Sequence, residues 1–494
     1  MTSDAEKKKP LSVRQSLAWS FAKRYTNMAM TIPTIMIVSR LLTPEQVGVY
    51  SVGMAFVTLI HSLRDFGVSD YLVRTEDLDD RKARSAFTIN LIIAWVLGCT
   101  MFLASGVVAT FYSQPGLELL LKVISINFFL LPFGSTVTAL LKRSMQFGIS
   151  YQINLFQQAT QSGSTIVFVL MGFGFMGLAM GSVAGTVANI LACMYFGRNY
   201  RIRGLGLDQW RDVSSFGIQR VTGDVVSRIG ASAPDFIIAR VIDFASVGLY
   251  SRGKGLVNLF RENILAAVGV VTFPTYARDF RRRNDAHLMF LKSMTYVTGV
   301  SWPFFMFSAL MGFPIMRIMF GDQWDAAVPI LQWIAMASVI GVINMDGPQL
   351  LTAIGHVKAV TRTIIVLQII RIALLVGAAF YSLEAVAAAS VVGAGLNVAL
   401  YQALIKRYTP IKFRDIWFAL TPSVLSTVIT MVPPLIVVAV IPPSGNNLWV
   451  PLIVGGMVAG VAWLVGLNIV RHPLSDEINT LLANAVSRVR RTKA

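Results

Sequence analysis

Residues 213–277 read VSSFGIQRVTGDVVSRIGASAPDFIIARVIDFASVGLYSRGKGLVNLFRENILAAVGVVTFPTYA. Two apolar stretches, each long enough to cross a membrane, are split there by the link Val241-Ile242-Asp243-Phe244-Ala245-Ser246. They nevertheless carry Arg220, Asp224, Arg228, Asp235, Arg252, Lys254, Arg261 and Glu262. A charged side chain in hydrocarbon costs at least about 2.5–3.5 kcal/mol on the most lenient insertion scale, so these groups are expected to face one another or water. At 100° per residue, Arg220, Asp224, Arg228 and Asp235 fall within about 80° of arc, and Lys254, Asn258, Arg261 and Glu262 span a similar arc. The pattern predicts two adjacent helices lining a wet, basic cleft. For a single pair such as Arg220–Asp224 or Asp224–Arg228, the structural alternative is a salt bridge at i, i+4 within one helix.

The rest of the chain is built of similar material. Its 494 residues are 55% hydrophobic and only 14% charged, with mean hydropathy +0.63, which is too apolar and too long for one water-soluble core. An all-α polytopic membrane protein is expected. The net charge of +18 does not point to nucleic acid, because the basic residues recur between apolar runs as they do in cytoplasmic loops. Cys99 and Cys193 both sit in apolar runs, so a disulfide framework is not expected. Lys7, Lys8 and Lys9 are followed by Pro10 and polar residues, not by the apolar core of a removable signal peptide.

With about 20 apolar residues needed per spanning helix, fourteen segments emerge: 16–39, 47–71, 85–110, 117–141, 150–171, 175–197, 213–240, 247–275, 288–311, 325–345, 360–381, 384–405, 415–440 and 448–470. Basic residues collect on alternate links: Arg74, Arg81, Lys82 and Arg84; Lys142 and Arg143; Arg198, Arg201, Arg203 and Arg211; Arg278, Arg281, Arg282 and Arg283; Lys358 and Arg362; Lys406, Arg407, Lys412 and Arg414. The intervening links are nearly bare. An even helix number with both termini in the cytoplasm follows.

A shift of 200 residues superposes Ile37, Arg40, Val47, Gly48, Tyr50, Ser51, Gly53, Val57 and Leu59 on Ile237, Arg240, Val247, Gly248, Tyr250, Ser251, Gly253, Val257 and Leu259. Copies separated by an even number of helices keep one orientation, as in a parallel repeat about an axis along the membrane normal. Two six-helix lobes, 1–211 and 212–410, are expected to face each other across a central cleft. A further helix pair (411–472) and a basic cytoplasmic tail (473–494) complete the chain; the tail reads as an amphipathic helix on the anionic inner leaflet.

The repeat places His61 opposite Arg261 and Arg24 opposite Asp224. Alone, His61 reads as a packing histidine, but its position adds it to the cleft. Arg371, mid-segment, needs a partner or water. The candidate substrate contacts are therefore Arg24, His61, Arg220, Arg228, Lys254, Arg261 and Arg371, with Asp224, Asp235 and Glu262 as candidates for ion coupling. The amides Gln152, Asn154, Gln157, Gln158, Gln161, Asn344 and Gln368, with Asp346, read first as interhelical hydrogen-bonding groups.

No G-x-x-x-x-G-K-[ST] occurs, because Gly253-Lys254-Gly255 lacks that spacing. No His/Cys set has metal-ligand spacing, and no link is much longer than about 15 residues. Neither an enzyme, a metal site nor a bound cofactor is expected; a proton or sodium gradient is the candidate energy source. An arginine-rich cleft suits an anionic substrate, since guanidinium holds phosphate oxygens bidentately and loses less hydration than ammonium.

Ser39-Arg40-Leu41-Leu42-Thr43-Pro44-Glu45-Gln46-Val47-Gly48-Val49-Tyr50, followed by Asp65-Phe66-Gly67-Val68 and Leu72-Val73-Arg74, resembles the polysaccharide-transport flippases of the multidrug/oligosaccharidyl-lipid/polysaccharide exporter superfamily. The resemblance is greatest to bacterial exopolysaccharide and O-antigen repeat-unit flippases, including the succinoglycan and colanic-acid branch. It spans the topology of nearly the whole chain, with the motif at 39–74 and a weaker echo at 239–251. It implies an inner-membrane protein that moves undecaprenyl-diphosphate-linked oligosaccharide to the periplasmic leaflet, with membrane lipids, a polysaccharide polymerase and a chain-length regulator as candidate partners. No binding residue is carried over by motif; Arg40 and Arg240 are expected to hold outer helix ends. A lipid II flippase, a multidrug exporter and a membrane scaffold of a polysaccharide assembly complex are the alternatives, although cationic drugs favour an acidic cavity.

Overall fold

Apolar runs bounded by proline, glycine and charge become helices in the computed structural model, which describes residues 13–64, 68–75, 78–200, 202, 204–259, 261–262, 286–445 and 447–480, with backbone alone for 13–17, 70, 74, 212–225 and 286. The chain forms two compact units, residues 1–248 and 249–494. Among the described residues, nine helical stretches are long and apolar enough to cross a membrane, or ten if one bent pair counts as a span. The protein is thus a multi-pass membrane protein.

In the first unit the helices are α1 (Val13–Leu41), α2 (Pro44–Arg64), α3 (Val68–Arg74), α4 (Asp80–Phe111), α5 (Pro115–Arg143), α6 (Phe147–Phe168), α7 (Phe175–Phe196) and α8 (Trp210–Val241), and α9 (244–259) begins there. Within the expected span 47–71 the described helices are α2, as far as Arg64, and α3, from Val68. α5 lies at the core: Leu117, Leu120, Leu121, Ile124 and Phe128 are all fully buried, at the spacing that puts them on one helical face. At its end, the Arg143 guanidinium donates to the carbonyls of Leu72 (3.1 Å) and Val73 (3.4 Å). This basic residue therefore caps the C-terminus of α3, where carbonyls lack helical partners. α7 packs closely on α6 through Gly181 and Gly185, four residues apart, where a Cβ would run into Thr165 and Gln161, the small-x-x-x-small contact of membrane helices.

The second unit holds the rest of α9, then α10 (Ala286–Leu310), α11 (Gly312–Phe320), α12 (Val328–Val342), α13 (Gly347–Ala353), α14 (Val357–Ala379), α15 (Leu383–Tyr408), α16 (Phe413–Val440) and α17 (Trp449–Ile469). α10 and α11 meet at a 73° bend. Phe290, Met294 and Trp302 of α10 are buried with Leu351, Leu367, Tyr401 and Ile405, and the Trp302 indole N–H donates to the Val339 carbonyl at 2.7 Å, so its polar edge is satisfied inside the core. Arg252 lies over the rings of Phe320 (5.7 Å) and Trp324 (5.5 Å), a cation–π setting.

The 200-residue repeat has physical counterparts. Thr43 Oγ1 accepts from Gln46 N at 3.3 Å, while Thr43 N donates back to Gln46 Oε1 at 3.2 Å; the equivalent Asp243 Oδ1 accepts from Ser246 N at 2.6 Å. Both helix starts are therefore capped by the same positions. Gly53 packs on the Leu120 side chain of α5 in the first unit, and Gly253 packs on Ile330 and Leu331 of α12 in the second. Within the first unit, a Cβ on Gly48 would collide with the Phe244 carbonyl oxygen, and a Cβ on Gly248 would collide with that of Pro44. The pairs 48–244 and 248–44 exchange under the 200-residue shift, so the two turns cross reciprocally at backbone distance.

The chain after α17 is pinned by His472, which is 0% exposed. Its Nδ1 accepts from Leu474 N at 3.1 Å, so the proton sits on Nε2, 3.1 Å from Ser423 Oγ; Ser423 in turn donates to the Thr295 carbonyl at 3.2 Å. Burial pushes the imidazole pKa down from 6.5 to about 4, because a proton on Nδ1 would face an N–H donor in a desolvated site. The unfolded ring binds protons first, so the stability due to neutral His472 is complete above pH 6.5 and lost as pH falls towards 4. Linkage gives a loss of roughly 2 kcal/mol by pH 5. Melting temperatures of detergent-solubilised protein between pH 8 and pH 5 check this: the wild type should lose stability on acidification, whereas His472→Gln should start lower and show a flatter profile.

Candidate functional site

In the first unit, α2, α5, α7 and α8 enclose a cavity of about 350 Å³ lined by Met54, Val57, Thr58, His61, Ile124, Asn127, Leu131, Ser182, Thr186 and Arg228. α8 passes through Pro234 without a break, presenting Arg228 to this space. The His61 ring packs on Phe128 at 4.8 Å between centroids, so one face is held by the α5 core while the residue borders the cavity. Asn127 is 5% exposed; its Nδ2 donates to Ser182 Oγ at 3.1 Å, tying α5 to α7. Its Oδ1 has no hydrogen-bond partner.

The structure thus brings together two of the expected cleft residues, His61 and Arg228, in one cavity. Arg24 on α1 and Asp235 on α8 are half-buried outside its lining. Arg220 and Asp224 belong to α8, but their side chains lie outside the described residues. Asn127, Ser182 and Thr186 were not singled out by the sequence reading; the available signal was a polar residue recurring on the apolar face of a span. Two amides of α6 take the structural role expected of them: Gln157 Oε1 accepts from Asn189 Nδ2 at 2.8 Å, and Gln158 Nε2 donates to Thr31 Oγ1 at 3.2 Å.

In the second unit, Arg261 lies within electrostatic range of Glu262 and of Arg371. Candidates from two separate parts of the sequence, 261–262 and 371, therefore come near each other. Two guanidinium groups against one carboxylate leave an excess positive charge, which suits an anion. Arg371 borders Gly393, with its Cγ 4.0 Å from where a Cβ would stand, so α15 leaves room at this point. Lys254 extends back over the Tyr250 ring at 5.6 Å. Asn344 is 3% exposed and neither amide atom has a hydrogen-bond partner, while Ser293 Oγ donates to Asp346 Oδ2. At the expected outer end of α8, Arg240 lies 5.0 Å over the Phe111 ring, as a helix-end anchor should.

Comparison with known proteins places this geometry. The chain is 25% identical to the succinoglycan biosynthesis transport protein ExoT of Rhizobium meliloti (strain 1021) over 334 residues, 67% of each chain. It is 21% identical to the lipopolysaccharide biosynthesis protein WzxC of Escherichia coli (strain K12), again over 67% of each, and 23% identical to the teichuronic acid biosynthesis protein TuaB of Bacillus subtilis (strain 168) over 59% of this chain and 61% of that one. Among solved structures, the lipid II flippase MurJ in an inward closed conformation superposes with TM-score 0.74 at 12% identity, covering 93% of this chain and 99% of its own. An inward-facing multidrug resistance MATE family transporter of the MOP superfamily gives 0.58 at 15% identity, covering 77% and 95%. At such identities these structures establish the fold alone. The profile of the family described as "polysaccharide biosynthesis protein" matches residues 37–329, which include the motif, its echo, the Gly48–Gly248 crossing and Arg228 and Arg261. This chain belongs to that family.

Proposed function

We propose that this protein is a flippase that moves undecaprenyl-diphosphate-linked oligosaccharide repeat units from the cytoplasmic to the periplasmic leaflet of a bacterial inner membrane by alternating access. Arg261 and Arg371, within electrostatic range of each other, carry the reading. Two planar guanidiniums grip the oxygens of a diphosphate bidentately, and the glycan crosses on polar groups instead of facing hydrocarbon. Membership of a polysaccharide biosynthesis family and a fold shared with transporters support this over an enzyme or a scaffold.

In this reading fourteen spans form lobes 1–211 and 212–410, with helices 411–472 outside the repeat, the tail 473–494 and both termini in the cytoplasm. The reciprocal crossing of Gly48 and Gly248 supports a parallel repeat about an axis along the membrane normal. Asp224, Asp235 and Glu262 are the groups through which a proton or sodium gradient would drive the cycle, and a polymerase with its chain-length regulator would receive the flipped unit.

Mass spectrometry of undecaprenyl-diphosphate saccharides in cells with and without this gene tests the function. Its loss should leave one completed repeat unit accumulated on the inner leaflet, shielded from an externally added glycan-modifying enzyme. Unchanged polymer with no accumulated unit would reject the flippase reading.

A further inference from the structure

The cavity of the first unit differs in chemistry from the arginine pair of the second. Among the described residues its lining has one guanidinium, Arg228, and one imidazole, His61; the other polar groups are neutral amide or hydroxyl. A diphosphate, with two or more negative charges, is poorly matched by one guanidinium, whereas one planar carboxylate is matched by a single bidentate fork. The volume of about 350 Å³ lies at the small end of ligand sites, about 300–1,000 Å³, which suits one sugar ring.

Asn127 supplies the independent observation. It is nineteen-twentieths buried, its Nδ2 is fixed on Ser182 Oγ, and its Oδ1 acceptor lacks a partner. An unmatched buried acceptor is destabilising, so the wall is built to receive a donor such as a sugar hydroxyl. Ser182, having accepted from Asn127, keeps its own O–H to give to a ring oxygen or a second hydroxyl. The His61 ring, backed by Phe128 at 4.8 Å, offers a flat surface for the C–H face of the sugar.

We infer that this cavity is a subsite for a single carboxylate-bearing sugar of the transported oligosaccharide, with the carboxylate on Arg228 and a hydroxyl on the Asn127–Ser182 pair. The inference rests on the flippase reading and deepens it: the diphosphate is assigned to the second unit and the acidic sugar to the first. Selection between repeat units then rests on the sugar and not on the diphosphate.

The full-length protein in lipid vesicles tests this with two undecaprenyl-diphosphate oligosaccharides that differ only in carrying glucuronic acid or glucose at one position. The wild type should flip the acidic unit at least tenfold faster, Arg228→Gln should reduce that preference to about twofold or less, and Asn127→Leu should slow both. Saturation-transfer NMR with methyl glucuronide and methyl glucoside gives a second readout: preferential binding of the glucuronide, lost in Arg228→Gln, is expected even if Asn127→Leu fails to fold. Equal flipping of both oligosaccharides by the wild type, or a preference unchanged in Arg228→Gln, overturns the subsite while leaving the flippase reading intact. Failure of the wild type to flip either oligosaccharide overturns both.

Discussion

Gly48→Leu and Gly248→Leu should each lower polymer export in a complemented deletion strain by about 100-fold at comparable protein level in the membrane. The reason is geometric. A Cβ on either glycine collides with a backbone carbonyl of the opposite turn, Phe244 in one case and Pro44 in the other. A side chain could rotate away from such a contact; a capped helix start cannot, because Thr43 and Asp243 hold these turns by hydrogen bonds. Overpacking in a dense core costs about 1–3 kcal/mol, and contact of backbone with backbone belongs at the upper end. A penalty of about 3 kcal/mol against the crossed arrangement shifts its population roughly 100-fold. Gly163→Ala is the control: nothing lies within 4 Å of its Cβ position, so its export should be unchanged. Wild-type export by Gly48→Leu would show that the crossing plays no part in the transport cycle.

Loss of the arginine pair should be equally severe by a different route. Arg261→Ala and Arg371→Ala should each reduce export at least tenfold with the protein still in the membrane, and the double variant should do little worse than the stronger single change. Groups that grip one ligand are not additive. Arg261→Lys should rescue poorly, since an ammonium lacks the planar fork. These effects should appear in the flipping rate with thermal stability close to wild type, because Arg261 is exposed. Export retained by the double variant would refute an anion site there.

Much of this architecture was legible in the sequence because hydropathy and loop charge act over whole segments. Most of the intervals placed by apolar length fall on helices among the described residues, while α11 and α13 lie outside every interval and 325–345 runs past both ends of α12. The breaks were less visible. The 73° bend at Met311 depends on a short local sequence that leaves segment-averaged hydropathy almost unchanged. The 200-residue repeat pointed to Gly48 and Gly248, but only coordinates show that each touches the other's turn.

The charged stripe was readable as a pattern and not as a site. The repeat put His61, and helical period put Arg228, on the expected cleft, but only the structure shows that of the expected residues these two border one cavity. The convergence of Arg261 with Arg371, 110 positions apart, likewise depends on tertiary packing. Asn127 was missed because a lone amide in a long apolar helix usually makes an interhelical hydrogen bond, and one half of this amide does so with Ser182. Its significance lies in the other half, which has no partner.

The most direct test of the central claim is leaflet exchange by the purified protein. Vesicles would carry undecaprenyl-diphosphate oligosaccharide initially in the inner leaflet, with an external glycan-modifying enzyme reporting each molecule that crosses. The account predicts that vesicles with the wild-type protein expose the oligosaccharide far faster than protein-free vesicles, and that Arg261→Ala/Arg371→Ala brings the rate back to the protein-free level. Exposure by the wild type no faster than in protein-free vesicles, under an imposed proton or sodium gradient of either direction, would contradict it.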